Sequence, residues 1–167
     1  ELISKGKIFF KGVAIHDLEE DELANYRSKN VGIIFQSFNL LPSMTALENV
    51  NLPNQISGVL IDDKKGIELL KSVGLKKRLN HYPHQLSGGE QQRVAIARSL
   101  ISSPEIIIAD EPTGNLDKRN SEEVMKLIFK LQSDFASTLI LVTHDETIAK
   151  QCNKIIKLDN GLIVKDE

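Results

Sequence analysis

Three short apolar runs, each followed by polar residues, constrain the fold of this chain more than any other feature. The runs and their followers are Val31–Phe35 with Gln36, Ile106–Ala109 with Asp110 and Glu111, and Leu139–Val142 with Thr143 and His144. Helix-compatible segments separate them, and strands that alternate with helices predict a parallel α/β sheet. Ligands of such sheets bind beyond the carboxyl ends of the strands. The sequence therefore predicts one amide, two adjacent carboxylates and one imidazole at a single edge of the sheet.

The polar residues after the strands suit two chemical roles. A carboxylate such as Asp110 at a strand end suits a hard cation. The neighbouring Glu111 can act as a general base toward water. The alternative is that strand ends are polar because loops contact water, and for any one of these residues alone that alternative is favoured. Three polar strand ends together, beside the motif at Ser87–Glu90, favour an active site.

That motif is the segment Leu86-Ser87-Gly88-Gly89-Glu90. Ser87 and Glu90 have the S-x-x-E spacing of a capping box, which predicts the start of a helix. Gly88 and Gly89 leave the first turn without side chains, so that a phosphate could approach the N–H groups at the positive end of the helix. The alternative is an ordinary helix start. Two consecutive glycines cost backbone entropy on folding. The close approach of a ligand would explain why the sequence bears that cost.

The remaining patterns divide one domain into an α/β core and a helical insertion. Residues 37–60 are rich in Pro, Ser and Asn and predict loops and short helices. Further helices are predicted over Leu18–Ser28, Asp62–Val73, Gln91–Ile101 and Ser121–Leu131, and antiparallel strand pairs over residues 7–15 and around Asn160-Gly161. We expect residues 1–39 and 101–167 to form the core, and residues from about 40 to 100 to form a helical lobe.

Composition excludes several classes of protein. The chain has 167 residues, with 21 basic and 23 acidic side chains and a formal net charge of −2, which is no electrostatic footprint for nucleic acid. A single cysteine, Cys152, excludes an internal disulfide and a zinc site built from several cysteines. No apolar run approaches the roughly 18 residues of a membrane span, and no signal peptide pattern opens the chain. We expect a soluble, intracellular protein.

Together the motifs resemble those of ATP-binding cassette (ABC) transporter ATPases over essentially the whole chain. The matching segments are the signature sequence at Leu86–Arg98, the Walker B strand at Ile106–Pro112, the D-loop at Gly114–Asp117, the Q-loop glutamine Gln36 and the switch histidine His144. Tyr82–Gln85 and Asn115 are similar to the subgroup of lipoprotein-releasing, macrolide-export and peptide-antibiotic-export ATPases. The resemblance implies a P-loop NTPase-like sheet, ATP and Mg²⁺ as cofactors, and ATP hydrolysis coupled to export or extraction of a substrate.

The resemblance also implies roles for individual residues. Asp110 and Gln36 would hold Mg²⁺. Glu111 would polarise the attacking water, and His144 would bind the γ-phosphate. The residues implied to contact nucleotide are Gln36, Ser87, Gly88, Gly89, Glu90, Asp110 and Asp117.

The family pattern implies two kinds of partner. Family members pair head to tail, and each signature helix lies over the ATP held by the opposite P-loop, so that a second ATP-binding subunit is expected across a two-fold interface. Membrane-spanning transporter subunits are the other expected partners, and nucleic acid is not expected. The implied location is peripheral, at the cytoplasmic face of the cell membrane.

One family motif is absent from these 167 residues. No segment matches the phosphate-binding pattern G-x-x-x-x-G-K-[ST], and Gly6-Lys7 is followed by Ile8. We therefore expect an incomplete sheet core without the N-terminal nucleotide-binding part, and no ATP hydrolysis by these residues alone. Two alternatives remain, a truncated fragment that binds partners without turnover and a non-transport ABC ATPase of DNA repair or translation. The second is disfavoured because the chain has no basic excess, tandem second cassette or coiled-coil insertion.

Overall fold

The computed structural model of the protein describes residues 5–60 and 63–166. The strands in these ranges are β1 (Phe9–Phe10), β2 (Val13–Ala14), β3 (Val31–Phe35), β4 (Ile106–Asp110), β5 (Thr138–Val142), β6 (Ile156–Asp159) and β7 (Leu162–Asp166). The α-helices are α1 (Glu20–Asn30), α2 (Ala46–Ile56), α3 (Asp63–Ser72), α4 (Gly88–Ser99), α5 (Lys118–Asp134) and α6 (Glu146–Ala149). Two 3₁₀ helices cover Ile15–Asp17 and Pro83–Gln85.

The central sheet is parallel, with the strand order β3-β4-β5, and this confirms the predicted α/β class. Its three strands end level with one another, because Phe35 pairs with Asp110 and Asp110 pairs with Val142. The residues that follow the strands therefore leave the sheet along one edge.

The two faces of this sheet differ in how well they are covered. Ile34, Ile107 and Ala109 point to one face and lie in the buried core, together with apolar side chains of α4 and α5. On the other face Ile33, Ile140 and Val142 remain 36%, 47% and 50% exposed. Parallel sheets are ordinarily covered on both faces. In the described residues of this chain, one apolar face of the sheet is open to solvent.

The two antiparallel pairs form where the sequence predicted them. β1 pairs with β2, and β6 pairs with β7. The turn of the second pair is Asn160-Gly161, and both residues have positive φ values, 48° and 78°. Asparagine and glycine tolerate that conformation best, which is why this dipeptide favours a two-residue hairpin turn.

Two predicted helices begin earlier than their apolar periodicity indicated. α4 begins at Gly88 rather than Gln91, and α5 begins at Lys118 rather than Ser121. In each case a side-chain cap fixes the start, Ser87 for α4 and Asp117 for α5. Capping satisfies backbone N–H groups that periodicity does not report.

The segment after β3 contains a longer helix than predicted. α2 runs for 11 residues and includes Pro53, although a proline inside a helix removes one backbone hydrogen bond. A capping box between Thr45 and Glu48 starts the helix, and Asn49 and Val50 are fully buried. Capping and burial therefore outweigh the proline. The predicted first residue of the next helix, Asp62, lies outside the described residues.

The close contact between β3 and α4 predicts a strong effect of Gly32→Ala. A Cβ atom at Gly32 would lie 2.1 Å from the carbonyl oxygen of Ser99 in α4. We expect the substitution to lower the free energy of unfolding by about 3 kcal/mol, because backbone must move. The control is Gly88→Ala, whose added Cβ would meet Leu116 at an ordinary 3.6 Å. Urea denaturation measures both, and equal effects would contradict the packing argument.

The open sheet face predicts self-association of the 167-residue chain. β5 has an unpaired edge in the described sheet, and exposed strand edges and apolar faces favour association. Light scattering at increasing concentration should show a rising mean mass. Ile140→Lys places a charge on the open face and should shift the mass toward that of a monomer. A parent chain that stays monodisperse and monomeric at high concentration would refute this prediction.

Candidate functional site

The candidate site lies along the edge where the parallel strands end. Gln36 follows β3, Asp110 ends β4 and Glu111 follows it, and His144 lies two residues beyond the end of β5. The level strand ends place these residues side by side. The sheet thus brings together the four side chains that the sequence predicted at one edge.

Glu111 and His144 make the closest contact in this set. One carboxylate oxygen of Glu111, Oε1, lies 2.7 Å from the ring Nδ1 of His144 and accepts the backbone N–H of His144 at 2.9 Å. The hydrogen bond that Glu111 accepts from the His144 ring, followed by the negative charge of Glu111, raises the pKa of His144 above 6.5. The histidine side chain is 85% exposed, so solvent reaches the pair.

The backbone at Glu111 is strained. Its φ is 43°, a left-handed conformation that costs on the order of 1–2 kcal/mol for a residue other than glycine. The N–H of Glu111 donates to the carbonyl of Val142 at 3.0 Å, so β5 holds the residue in place. Strain of this kind persists where neighbouring contacts determine the conformation, and it clusters at functional sites.

Asp110 supplies a carboxylate suited to a hard cation. Its side chain is exposed at the end of β4, and no other side chain or N–H of the described residues binds it. The described residues contain no group of three or more His, Cys, Asp or Glu that could hold a metal alone. Mg²⁺ typically takes only one or two protein carboxylates, and substrate phosphates and water complete its shell. Asp110 and the neighbouring Gln36 amide fit that pattern.

Gln36 lies against the segment that follows β4. A Cβ atom at Gly114 would be 2.5 Å from Nε2 of Gln36, so a larger residue there would displace the end of the Gln36 side chain. The Nδ2 of Asn115 donates to the backbone carbonyl of Gln36 at 3.0 Å. The D-loop therefore holds the backbone of Gln36 and lies against its side chain.

The predicted capping box is present at the start of α4. The Glu90 N–H donates to Oγ of Ser87 at 3.3 Å, and the Ser87 N–H donates to Oε2 of Glu90 at 2.9 Å. Glu90 also forms an ion pair with Arg78 at 2.9 Å. The hydrogen bond from the Ser87 backbone is the main cause that lowers the pKa of Glu90. The Ser87 hydroxyl is exposed, and Glu90 is held mainly by its own helix start and Arg78.

The two glycines of this turn differ in their surroundings. Gly88 is half-buried, and an added Cβ would make only ordinary contacts. Gly89 is buried, and an added Cβ would lie 2.9 Å from Oδ1 of Asn120 in α5. The sequence argument explained both glycines by the approach of a ligand. For Gly89 the packing of α4 against Asn120 of α5 is a second reason for a residue without a side chain.

Asp117 caps α5 beside this turn. Its Oδ1 accepts the Asn120 N–H at 3.0 Å, and its other oxygen accepts the Asn120 side-chain amide. The backbone hydrogen bond from Asn120 is the main cause that lowers the pKa of Asp117. The starts of α4 and α5 are therefore joined through Asn120. No hydrogen bond between described residues joins these helix starts directly to the Glu111–His144 pair.

Sequence reasoning missed two polar side chains of α4. Gln92 is fully buried, and its Nε2 donates to the carbonyls of Phe35 and Pro112 next to the site. Arg98 donates to the loop after Gln36. The available signal was their place on a helix whose other inward residues, such as Val94 and Ala95, are apolar. A polar residue on a buried helix face indicates a hydrogen-bonded partner.

Known proteins resemble this chain in sequence. The family model described as ABC transporter matches residues 2–114. The chain is 44% identical to the uncharacterized ABC transporter ATP-binding protein YbbA of Escherichia coli K12, over 98% of this chain and 72% of that protein. It is 45% identical to the lipoprotein-releasing system ATP-binding protein LolD of Bacteroides fragilis, over 95% of this chain and 74% of that protein.

A solved structure matches the fold closely. The dimeric, post-hydrolysis ATP-binding cassette MJ0796, bound to ADP and Pi, superposes with a TM-score of 0.86 at 40% identity, over 98% of this chain and 73% of that chain. None of the helices that the structure describes is long and apolar enough to span a membrane. The fold, the site and these matches show that the chain belongs to the ABC transporter family, among its ATP-binding subunits.

Proposed function

We propose that these residues, joined to a phosphate-binding loop, bind and hydrolyse ATP as a subunit of an ABC transporter that exports or extracts its substrate through membrane-spanning partner subunits. The observation that carries the proposal is the Glu111–His144 contact of 2.7 Å next to Asp110, whose carboxylate has no partner among the described residues. A general base, a cation ligand and a phosphate-binding imidazole are the groups that hydrolysis of a phosphoanhydride needs. The identity to ATP-binding subunits such as LolD supports the transport role.

In this proposal the two oxygens of the Glu111 carboxylate have different tasks. Oε1 accepts both hydrogen bonds from His144, so the residue is oriented before any substrate arrives. Oε2 accepts no hydrogen bond from a described residue, and it would take the proton from the attacking water.

His144 would bind phosphate through its second ring nitrogen. Nδ1 lies against Glu111, which leaves Nε2 for a ligand. The raised pKa of His144 favours the imidazolium form, in which both ring nitrogens are donors. An imidazolium would donate from Nε2 to a phosphate oxygen, while its Nδ1 continues to donate to the Glu111 carboxylate.

Asp110 and Gln36 would hold Mg²⁺ together with oxygens of the nucleotide. The ion would neutralise charge on the phosphates, which is its usual role in phosphoryl transfer. Asp110 is suited to this role because its carboxylate is exposed and has no partner among the described residues. Gln36 follows the residue that pairs with Asp110, and its side chain lies against Gly114 of the D-loop.

We further propose a head-to-tail dimer in which Ser87, Gly88, Gly89 and Glu90, with Asp117, contact the nucleotide bound by the second subunit. The first turn of α4 offers N–H groups and the positive end of a helix dipole to an anion. The structural relative MJ0796 is dimeric, which supports the arrangement. Residues from about 40 to 100 would form the helical lobe of each subunit. The subunit would lie peripherally at the cytoplasmic face of the membrane, without a nucleic acid partner.

Glu111→Gln tests the catalytic role in a subunit that joins these residues to a phosphate-binding loop. The amide keeps the shape of the side chain but cannot take a proton, so hydrolysis should fall by about 10²–10⁴-fold. ATP binding should persist, and size-exclusion chromatography with ATP should show an accumulated dimer. Hydrolysis at the parent rate would contradict the proposed function.

Ser87→Arg tests the shared site in the same subunit. A bulky cation at the start of α4 would fill the space that the partner's nucleotide needs, so dimerisation with ATP should be lost. Ser87→Ala is the matched control, because it removes only the helix cap, at a cost of about 1 kcal/mol. If Ser87→Arg dimerises as well as the parent, the shared-site arrangement is wrong.

The Glu111–His144 contact predicts a shift in the titration of His144. NMR titration of the 167-residue chain should give a pKa for His144 above its ordinary 6.5, and Glu111→Gln should lower it, because the negative charge that stabilises the imidazolium is removed. Asp145→Asn is the control and should lower it less, since Asp145 is the smaller cause of the shift. Equal pKa values in the parent and Glu111→Gln would refute the contact.

A further inference from the structure

The loop after Gln36 has an unusual backbone. Phe38 and Asn39 are consecutive residues in the left-handed region, with φ values of 59° and 50°. Asparagine tolerates this conformation, whereas a bulky residue such as phenylalanine rarely adopts it. Two such residues in sequence require contacts that hold them.

Arg98, near the end of α4, provides those contacts. Its Nη2 donates to the carbonyl of Phe38 at 2.8 Å, and its Nη1 donates to the carbonyl of Asn39. No carboxylate among the described residues pairs with this guanidinium. Burial lowers the pKa of Arg98 below its ordinary value. Both of its hydrogen bonds go to the two left-handed residues.

The first turn of the same helix touches the same loop. Cζ of Phe38 lies 3.8 Å from the position of a Cβ on Gly88, so the tip of the phenylalanine ring lies beside the start of α4. Arg98 and Gly88 are at opposite ends of this helix. α4 therefore contacts the loop at both of its ends.

The residues before Phe38 are held as well. The Phe35 carbonyl accepts a hydrogen bond from Gln92 at 3.3 Å, and the Gln36 carbonyl accepts one from Asn115 at 3.0 Å. With the two Arg98 contacts, the backbone is fastened on both sides of Gln36. The Gln36 side chain itself is exposed.

We infer that Arg98 is a positioning residue for Gln36: by holding the carbonyls of Phe38 and Asn39, it keeps the Gln36 amide at the Asp110 edge. The inference rests on the proposed function, because the position of Gln36 matters to hydrolysis only if Gln36 acts on the bound nucleotide and its cation. The contacts with the loop can be tested without any nucleotide.

The first measurement is hydrogen exchange of the loop in the nucleotide-free 167-residue chain. Arg98→Met keeps an apolar stem but removes both donors, and the amides of Phe38 and Asn39 should exchange about 10- to 100-fold faster. Arg98→Lys keeps the charge and one donor group, and should lie between the parent and Arg98→Met. The matched control is Arg93→Met, because Arg93 binds Glu123 and the Val73 carbonyl but not the loop. Unchanged exchange in Arg98→Met would overturn the inference.

The second measurement is a double-mutant cycle in a subunit that joins these residues to a phosphate-binding loop. Arg98→Met should lower kcat for ATP about tenfold and change KM less than about twofold. In a Gln36→Ala background the same substitution should cost less than about twofold, because the residue through which Arg98 acts is already removed. Arg98→Lys should restore part of kcat. An equal loss in both backgrounds would show that Arg98 acts independently of Gln36, and it would overturn the inference.

Stability measurements separate this role from a folding defect. Urea denaturation gives the free energy of unfolding of each variant. We expect no correlation between the decrease in this free energy and the decrease in kcat. If Arg98→Met does not fold, Arg98→Lys is used for the test. A Glu111→Gln variant that hydrolyses ATP at the parent rate would contradict the proposed function instead. The exchange measurement would then still decide whether Arg98 holds the loop.

Discussion

The level pairing of β3, β4 and β5 is the constraint on which the candidate site depends. Asp110 pairs with Phe35 on one side and with Val142 on the other, so three chain segments leave the sheet at the same height. A shift of one residue in either pairing would move Asp110 out of line with its neighbours and exchange the faces of the shifted strand. The arrangement of Gln36, Asp110 and Glu111 is therefore a property of the sheet rather than of flexible loops.

The neighbouring strand also fixes the residue that we propose as the general base. Glu111 leaves β4 in a left-handed conformation, and its N–H is bound by the Val142 carbonyl of β5. Its side chain is bound by the backbone and ring of His144, which follows the same strand. The strand β5 and the residues after it therefore hold the strained backbone of Glu111 and also orient its carboxylate. The base and the imidazole are preorganised as a pair, which is the condition for efficient proton transfer.

The sequence predicted those parts of the structure that local chemistry determines. The strands that end at Gln36 and Asp110, and the capping box at Ser87, follow from patterns within a few residues, and the structure confirms them. The contacts of Gly89 with Asn120 and of Arg98 with Phe38 join residues far apart in the chain. No local pattern reports such distances. The packing of Gly89 against Asn120 was not visible in the sequence for this reason, because a glycine favoured by packing and one favoured by a ligand look alike in sequence.

A buried glutamine joins the two halves of the proposed mechanism. Nε2 of Gln92 donates to the carbonyls of Phe35 and Pro112, while its Oε1 has no partner among the described residues. An unpaired buried oxygen costs about 1–3 kcal/mol, and a leucine would avoid that cost. A leucine would also leave the carbonyls of Phe35 and Pro112 without this donor, so the site explains the glutamine better than the core does. Because Gln92 belongs to α4, the helix start that faces the second subunit in the proposed dimer is tied to the edge that carries Glu111. In the proposed dimer, the nucleotide of the second subunit would contact the start of α4. If it displaces this helix, Gln92 would pass the displacement to the residues that act on the nucleotide of the first subunit.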